Sequence, residues 1–252
     1  MAFCELFTSR SRISNNLLKD FLYLDDSIHE TGLFRSKTLI GLSKLIIQEF
    51  PEGVTIFDMA CSYGHEPYCI ALIIADQLGG LKQAVKNYPI FASDRSKEVI
   101  DVAKYKILWI DNRNLGALNL FKAYYHITNP VKVDDNTIEF QISEELFNAV
   151  SFRENNIDNE IRNINSNLPV VVIARNVWYY LDENTKYDLI PTLGNHLPSG
   201  SVLAMSNGDS QWCFYGRYTM GNYLTYGGLY DDISVKLEER DPFWEKTVFR
   251  RK

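Results

Sequence analysis

The sequence is poor in cysteine and has no excess of positive charge. Its 252 residues contain 4 cysteines and 4 histidines, and 26 Lys and Arg stand against 32 Asp and Glu, a net charge of −6. Neither the histidines nor the cysteines, Cys4, Cys61, Cys69 and Cys213, have the close spacing of a metal site or a disulfide framework. General nucleic-acid binding requires a basic surface against phosphates. We therefore expect no metal, no nucleic-acid partner, and a reduced, cytoplasmic protein.

A long apolar run is also missing. The longest stretch without charge, Leu189–Gly208, is interrupted by Pro191, Gly194, Pro198 and Gly200, which would break a membrane-spanning helix. We therefore expect no membrane insertion. Pro191 also predicts a kink or a break in the helix that contains it. The composition, with 46% hydrophobic and 23% charged residues, is that of an ordinary soluble globular protein.

Short β-rich runs alternate with helical patterns from Val54 onward. The predicted strands are Val54–Phe57, Ile90–Ser93, Val150–Phe152, Val170–Ile173 and Ser201–Met205. This alternation predicts an α/β fold with a doubly wound, Rossmann-like sheet and helices on both faces. We expect residues 1–50 to form a short N-terminal helical cap and residues 51–252 to form the α/β domain, with a small β-hairpin inserted at about 130–142.

The loop after the first predicted strand has only one glycine. In Ala60–Glu66 that glycine is Gly64, and Glu66 stands at the start of the next helix. A dinucleotide pyrophosphate favours three spaced glycines and a helix start free of negative charge. The loop therefore indicates a nucleoside with a positive or zwitterionic group. S-adenosylmethionine (SAM) fits, because it has an adenosine, a sulfonium and an amino group but no phosphate.

Two polar residues follow other strands. Asp94 ends the second predicted strand, where a carboxylate can accept hydrogen bonds from both ribose hydroxyls of a nucleotide. Asp94 can equally be a carboxylate that the dipole of the following helix stabilises. Asn156 follows the strand Val150–Phe152 and is a candidate for reading the adenine edge.

Several segments together resemble the CheR-type chemotaxis methyltransferases. They occur in the order and approximate spacing of that family, from about residue 28 to residue 208. The segments are Thr31–Arg35, Ile56–Ala71, Phe91–Asp94, Val150–Ile157, Arg175–Tyr180 and Leu197–Gly200. Several motifs in order are far more specific than any one of them.

The resemblance implies a SAM-dependent methyltransferase that esterifies glutamate side chains of chemoreceptors and releases S-adenosylhomocysteine. It implies Arg35 and Tyr180 as catalytic residues, with Tyr180 near the transferred methyl group and Arg35 as a partner for a carboxylate. The cofactor-binding residues that it implies are Thr31, Arg35, Gly64, Glu66, Asp94, Asn156, Ile157, Asn176 and Val177. The family's N-terminal domain is expected to be shortened here.

The chain also departs from the family pattern. His29 stands where the family has Asn, and His65 stands where it has Glu. The aromatic tail, residues 211–230, is expected to pack against a sheet edge rather than to form a substrate lid. Two alternatives follow: a methyltransferase with another protein or small-molecule acceptor, or a non-catalytic SAM-binding signalling module. A nicotinamide-dependent oxidoreductase is disfavoured by the glycine pattern.

Overall fold

The computed structural model describes residues 38–111, 126–132, 135, 137–211, 213–214, 218–237 and 247–252. The predicted cap is therefore described only from Thr38 onward, and the predicted site residues Thr31 and Arg35 lie outside the described residues, as does His29. The predicted division of the chain at residue 50 stays a prediction. Within these ranges, no helix has both the length and the apolar character needed to cross a membrane.

Helices and strands alternate along the described chain, as predicted. The helices are α1 Thr38–Glu49, α2 His65–Leu78, α3 Leu81–Asn87, α4 Lys97–Ala103, α5 Glu144–Phe147, α6 Ile157–Arg162, α7 Glu183–His196, α8 Asn207–Gln211 and α9 Met220–Tyr226. The strands are β1 Thr55–Met59, β2 Ile90–Asp94, β3 Ile107–Asp111, β4 Ile127–Lys132, β5 Thr137–Ile142, β6 Val150–Glu154, β7 Val170–Ile173, β8 Val202–Ala204, β9 Cys213–Phe214, β10 Tyr218–Thr219, β11 Tyr230–Asp232 and β12 Val248–Arg251. Short 3-10 turns occupy Trp178–Tyr180 and Ser234–Lys236.

The main sheet has seven strands in the order β11-β12-β8-β7-β1-β2-β6. The five strands from β8 to β6 are parallel, and β12 pairs antiparallel with both β8 and β11. From β1 the chain builds outward first through β2 and β6 and then, on the other side, through β7 and β8. This reversal of direction confirms the predicted doubly wound, Rossmann-like fold.

Helices cover both faces of the sheet, which is why its parallel strands β7 and β8 are apolar throughout. All four residues of β7 are buried. Val171 and Ile173 pack in the core cluster that includes α1, α2 and α3, whereas Val170 and Val172 pack in the cluster formed with α6, α7 and α9. Each fully buried Ile or Val side chain of this kind stabilises the fold by roughly 1.5–3 kcal/mol.

A small antiparallel sheet is inserted between α4 and α5. Its strand order is β3-β5-β4, so the predicted hairpin is present as β4 and β5. The sequence analysis missed β3, which pairs with β5 on the side away from β4. Leu108, Ile110 and Phe140 bury their side chains in the core cluster that contains α1 and α2, so the insertion shares the core of the main domain.

The C-terminal part differs from expectation at one proline. Of the predicted kink or break at Pro191, the break is wrong, because helix α7 is continuous through this residue; a kink stays a prediction. Buried Leu189, Ile190 and Leu193 hold this helix against the sheet. In the aromatic tail, Tyr230 lies in the edge strand β11, and its buried hydroxyl donates to the Leu193 carbonyl at 2.9 Å. Trp212 and Tyr215 lie outside the described residues, so the packing of the tail as a whole stays a prediction.

Helix α2 begins and ends at glycines with left-handed backbones. Gly64 and Gly79 have φ of 84° and 82°. A Cβ on Gly64 would lie 2.9 Å from Cζ of Phe152, whereas a Cβ on Gly79 would meet nothing within 4 Å. The two positions therefore share the same backbone requirement and differ in the space available.

This difference makes two alanine substitutions a matched pair. We expect Gly79→Ala to cost about 1–2 kcal/mol for the left-handed backbone, and Gly64→Ala to cost about 1–3 kcal/mol more for the clash with the Phe152 ring. Urea unfolding of both variants measures the two losses. Equal losses would show that the Phe152 ring gives way at no cost.

Candidate functional site

A pocket of about 610 Å³ opens at the carboxyl ends of the central strands. Its walls come from the segments that follow β1, β2, β6 and β7 and from the start of α7. The lining residues are Ala60, Ser62, Asp94, Arg95, Ser96, Asn155, Asn156, Ile157, Asp158, Asn176, Val177, Tyr180, Leu181, Asp182, Thr185 and Asp188. Ligands of open α/β sheets bind in this place because the loops diverge where the strand order reverses.

The pocket gathers most of the residues that the sequence singled out. Six of them line it together: Asp94, Asn156, Ile157, Asn176, Val177 and Tyr180. Gly64 and Glu66 are not among its lining residues. Contact of any of these residues with a cofactor stays a prediction.

Asp94 connects two walls of the pocket. Its side chain is almost buried, and its Oδ2 accepts a hydrogen bond from the Ser62 backbone N–H at 3.0 Å, while Oδ1 accepts from the Ser96 N–H at 3.0 Å. Ser96 is the N-cap of α4. The carboxylate therefore organises a helix start and also lines the pocket, and its contact with a ribose stays a prediction.

Asn156 also has a structural task. Its Oδ1 accepts from the Asn159 N–H at 2.8 Å and caps α6. An amide that reads adenine from this position would therefore donate through its NH2 group. Ile157, the first residue of α6, is buried and adds an apolar surface to the same wall.

Glu66 lies in a largely buried ionic cluster and is not among the residues that line the pocket. Its Oε2 accepts from Nη1 of Arg175 at 2.6 Å. Burial raises the pKa of Glu66, and the Arg175 charge opposes that rise. Burial and the neighbouring Glu66 charge raise the pKa of Asp58 well above its ordinary value, so Arg175 balances an excess of carboxyl groups here.

His65 connects the loop after β1 to the inserted sheet. Its buried Nε2 accepts a hydrogen bond from the backbone N–H of Trp109 at 3.1 Å. The two rings also meet edge to face, with their centroids 4.1 Å apart. An accepting Nε2 places the proton of the neutral ring on Nδ1. Burial lowers the pKa of His65 to about 3. The ring is therefore a neutral packing element and does not line the pocket.

The segment after β7 has a strained backbone. Asn176 has φ of 55°, a left-handed conformation that Asn tolerates better than most residues. Its backbone N–H donates to Oδ2 of Asp209 at 2.5 Å. The sequence analysis missed Asp209, although Ser206-x-x-Asp209 has the spacing of a helix-starting capping box.

Carboxylates dominate the charge of the pocket. The acidic wall, defined as Asp94, Asp158, Asp182 and Asp188, faces one arginine, Arg95, among the described lining residues. Arg162 pairs with Asp158 at 2.9 Å from outside the pocket. A wall of this sign favours a cationic ligand and disfavours a phosphate. No group of three or more metal-binding side chains occurs in the part of the chain that the structure describes.

Comparison with known proteins gives one family and several relatives. The family model described as "CheR methyltransferase, SAM binding domain" matches residues 29–211. A chemotaxis protein methyltransferase 2 of Vibrio cholerae is 22% identical over 85% of this chain and 73% of its own length. A chemotaxis protein methyltransferase of Borreliella burgdorferi is 27% identical over 69% of this chain and 59% of its own length.

Among solved structures, the chain is similar to the bifunctional kinase-methyltransferase WbdD. The TM-score is 0.46 at 15% identity, covering 94% of this chain and 44% of that one. The fold assignment therefore depends on the strand order of the chain itself.

The buried, neutral His65 makes stability depend on pH. The unfolded chain binds a proton at this ring below about pH 6.5, whereas the folded chain does so only near pH 3. Stability is therefore complete above the unfolded pKa and falls toward pH 3, by up to about 1.4 kcal/mol per pH unit. We expect His65→Gln, which stays neutral and can still accept from Trp109, to lose less stability over this window.

Urea unfolding between pH 7 and pH 4 measures this difference. His196→Gln, at an exposed position in the last turn of α7, is the control and should keep the pH dependence of the unaltered protein. Parallel pH profiles for the unaltered protein and His65→Gln would contradict the assignment of a buried, neutral ring.

Proposed function

Since this chain belongs to the CheR methyltransferase family, we propose that it transfers the methyl group of SAM to glutamate carboxylates of a chemoreceptor. The chain carries the SAM-binding domain of that family, and it is a SAM-dependent methyltransferase. The relatives named as chemotaxis protein methyltransferases support a chemoreceptor as the acceptor. The chain spans 73% and 59% of the length of two such relatives. The chemoreceptor acceptor is therefore a proposal for this chain.

The observation that carries the proposal is the convergence of six family-implied residues on one pocket with an acidic wall. SAM fits this pocket, because it carries a sulfonium and an ammonium group and no phosphate. We place the ribose at Asp94, whose two oxygens each have one lone pair beyond the backbone bonds already made. Asn156 and Ile157 then receive the adenine, with Val177 on the neighbouring wall.

The methyl transfer does not require an acid or base residue from the protein. When bound, SAM supplies an electrophilic methyl group on a positively charged sulfur. A glutamate has a pKa near about 4.3 and is ionised at neutral pH, so its oxygen can attack without a general base. The residues of the pocket need only orient the two reactants and exclude water, which contributes up to about 7–11 kcal/mol in the best intramolecular reactions.

Tyr180 is the pocket residue that we assign to the transfer step. It ends the 3-10 turn Trp178–Tyr180, and 43% of its surface is exposed, so an acceptor arriving from solvent can reach its ring. Arg175 is buried in its ion pair with Glu66. The family resemblance implies Arg35 as the cation that meets the acceptor carboxylate, and this role stays a proposal.

We also propose that the protein acts in the cytoplasm. Two of its thiols, Cys61 and Cys69, are buried and do not form a disulfide. Burial raises the pKa of the Cys61 thiol. Unreactive, reduced cysteines of this kind are usual in a reducing compartment.

One sequence departure has a structural explanation. The packing of His65 against Trp109 gives a histidine at this position a structural role. The non-catalytic alternative therefore has no support from this residue.

The central experiment identifies the chemical nature of the methylated group. We expect purified chemoreceptor fragments incubated with methyl-labelled SAM and the protein to gain label that base releases as volatile methanol, because only a carboxyl ester hydrolyses in this way. Fragments whose acceptor glutamates are replaced by glutamine are the control and should stay unlabelled. Base-stable label would show another acceptor group, and SAM binding without transfer to these fragments would contradict the chemoreceptor as the acceptor.

A second prediction tests where the ribose binds. We expect Asp94→Asn to weaken the binding of SAM about tenfold or more, as for the loss of a charged hydrogen bond of about 1.5–3 kcal/mol. The affinity for S-adenosylhomocysteine should fall in parallel, because that molecule carries the same ribose. Calorimetric titration with both ligands measures the two affinities.

Asp158→Asn is the matched control, because it removes the same charge from the same pocket wall. It should change the SAM affinity by no more than about threefold, as expected for a partly exposed charge that is paired with Arg162, and the S-adenosylhomocysteine affinity by less. If Asp94→Asn leaves the affinity of both ligands unchanged, the ribose lies elsewhere.

A further inference from the structure

Asp209 lies behind the pocket without touching it. It is fully buried in the short helix α8, which follows β8, and it is absent from the lining residues. Strands β7 and β8 are parallel neighbours with Ile173 opposite Ala204. The segments that follow the two strands therefore run side by side, one lining the pocket and the other carrying Asp209.

The carboxylate of Asp209 holds the segment after β7 at two points. Oδ2 accepts from the Asn176 N–H at 2.5 Å, and Oδ1 accepts from the Trp178 N–H at 3.0 Å. The two donors flank Val177, which lines the pocket. One carboxylate thus fixes the backbone on both sides of a pocket residue, including the strained, left-handed Asn176.

The carboxylate itself is anchored from the other side. The Ser206 Oγ–H and N–H donate to Oδ2 at 2.6 and 3.2 Å, and the Asp209 N–H donates back to Ser206 Oγ at 3.2 Å. These reciprocal bonds form a capping box at the start of α8. Four donors therefore surround one buried carboxylate, and charge-assisted hydrogen bonds of this kind are short and strong.

We propose that Asp209 is a positioning residue for the cofactor, which sets the affinity for SAM by fixing the pocket segment Asn176–Tyr180 before the cofactor binds. The inference rests on SAM binding in this pocket as proposed above, and does not depend on which acceptor is methylated. Asp209 acts through the backbone of Asn176 and Trp178. A segment that is already in its binding conformation loses less conformational entropy when the ligand arrives.

The test is the isosteric variant Asp209→Asn. Asparagine has one acceptor oxygen, so its NH2 group must face at least one of the N–H donors, and the segment loses one of its two attachments. We expect the Kd and KM for SAM to rise about tenfold or more, with kcat at saturating SAM within about threefold, because bound cofactor restores the segment. Calorimetry and steady-state methylation measure these values.

Ser206→Ala is the matched control for stability. It removes the capping hydroxyl and one donor to Asp209 but leaves both bonds to the pocket segment. We expect it to lower the thermal stability while the Kd for SAM stays within about twofold, since a lost cap costs about 1 kcal/mol of stability and touches no pocket residue. If Asp209→Asn binds SAM as tightly as Ser206→Ala does, the proposal is overturned.

Hydrogen exchange in the unaltered protein gives a test without any variant that could fail to fold. We expect the Asn176 and Trp178 amides to be protected in the cofactor-free protein, because Asp209 already holds them. Exchange of the Asn176 amide at the rate of an exposed amide would also overturn the proposal. If Asp209→Asn weakens SAM but no base-labile methyl ester forms, the proposed acceptor fails while the role of Asp209 stands.

Discussion

The parallel pairing of β1 with β2 on one side and β7 on the other is the constraint on which the site depends. The hydrogen-bond register places Asp58 opposite both Ala92 and Ile173, so the three strands end close together at the same edge of the sheet. The chain must then leave the sheet in tight turns, and Ala60, Ser62 and Asn176 all take left-handed backbones there. Strained turns of this kind persist only where the surrounding structure holds them.

The central sheet could be predicted from the sequence because its strands are buried on both faces. The predicted bounds of β7, Val170–Ile173, agree with the structure, because a run of four β-branched residues favours a buried strand. Strand β3 was not predicted because the residues between α4 and β3, 104–106, include no Gly, Pro, Asn or Asp to mark a turn. The helix does not break at Pro191, because packing of the buried face of α7 outweighs local propensity at the proline.

Site residues could be predicted only where their positions after predicted strands or within family motifs indicate them. Asp94, Asn156 and Tyr180 follow strands or match family motifs, and the structure brings them to one pocket. The contact between Asn176 and Asp209 spans 33 positions of sequence, and only the register of β7 with β8 creates it. The buried bond between His65 and Trp109 spans 44 positions and was equally invisible. Long-range hydrogen bonds to backbone N–H groups leave no residue pattern, because any residue type supplies the donor.

Methyl transfer changes the electrostatic attraction between the acidic wall of the pocket and the cofactor. SAM enters with a positive sulfonium, and transfer converts that sulfur into a neutral thioether while the rest of the molecule keeps its charges. A negative wall therefore attracts the incoming cofactor more strongly than the spent one. Under the proposed placement, methyl transfer therefore removes part of the electrostatic attraction between the cofactor and the pocket, which favours release of the product.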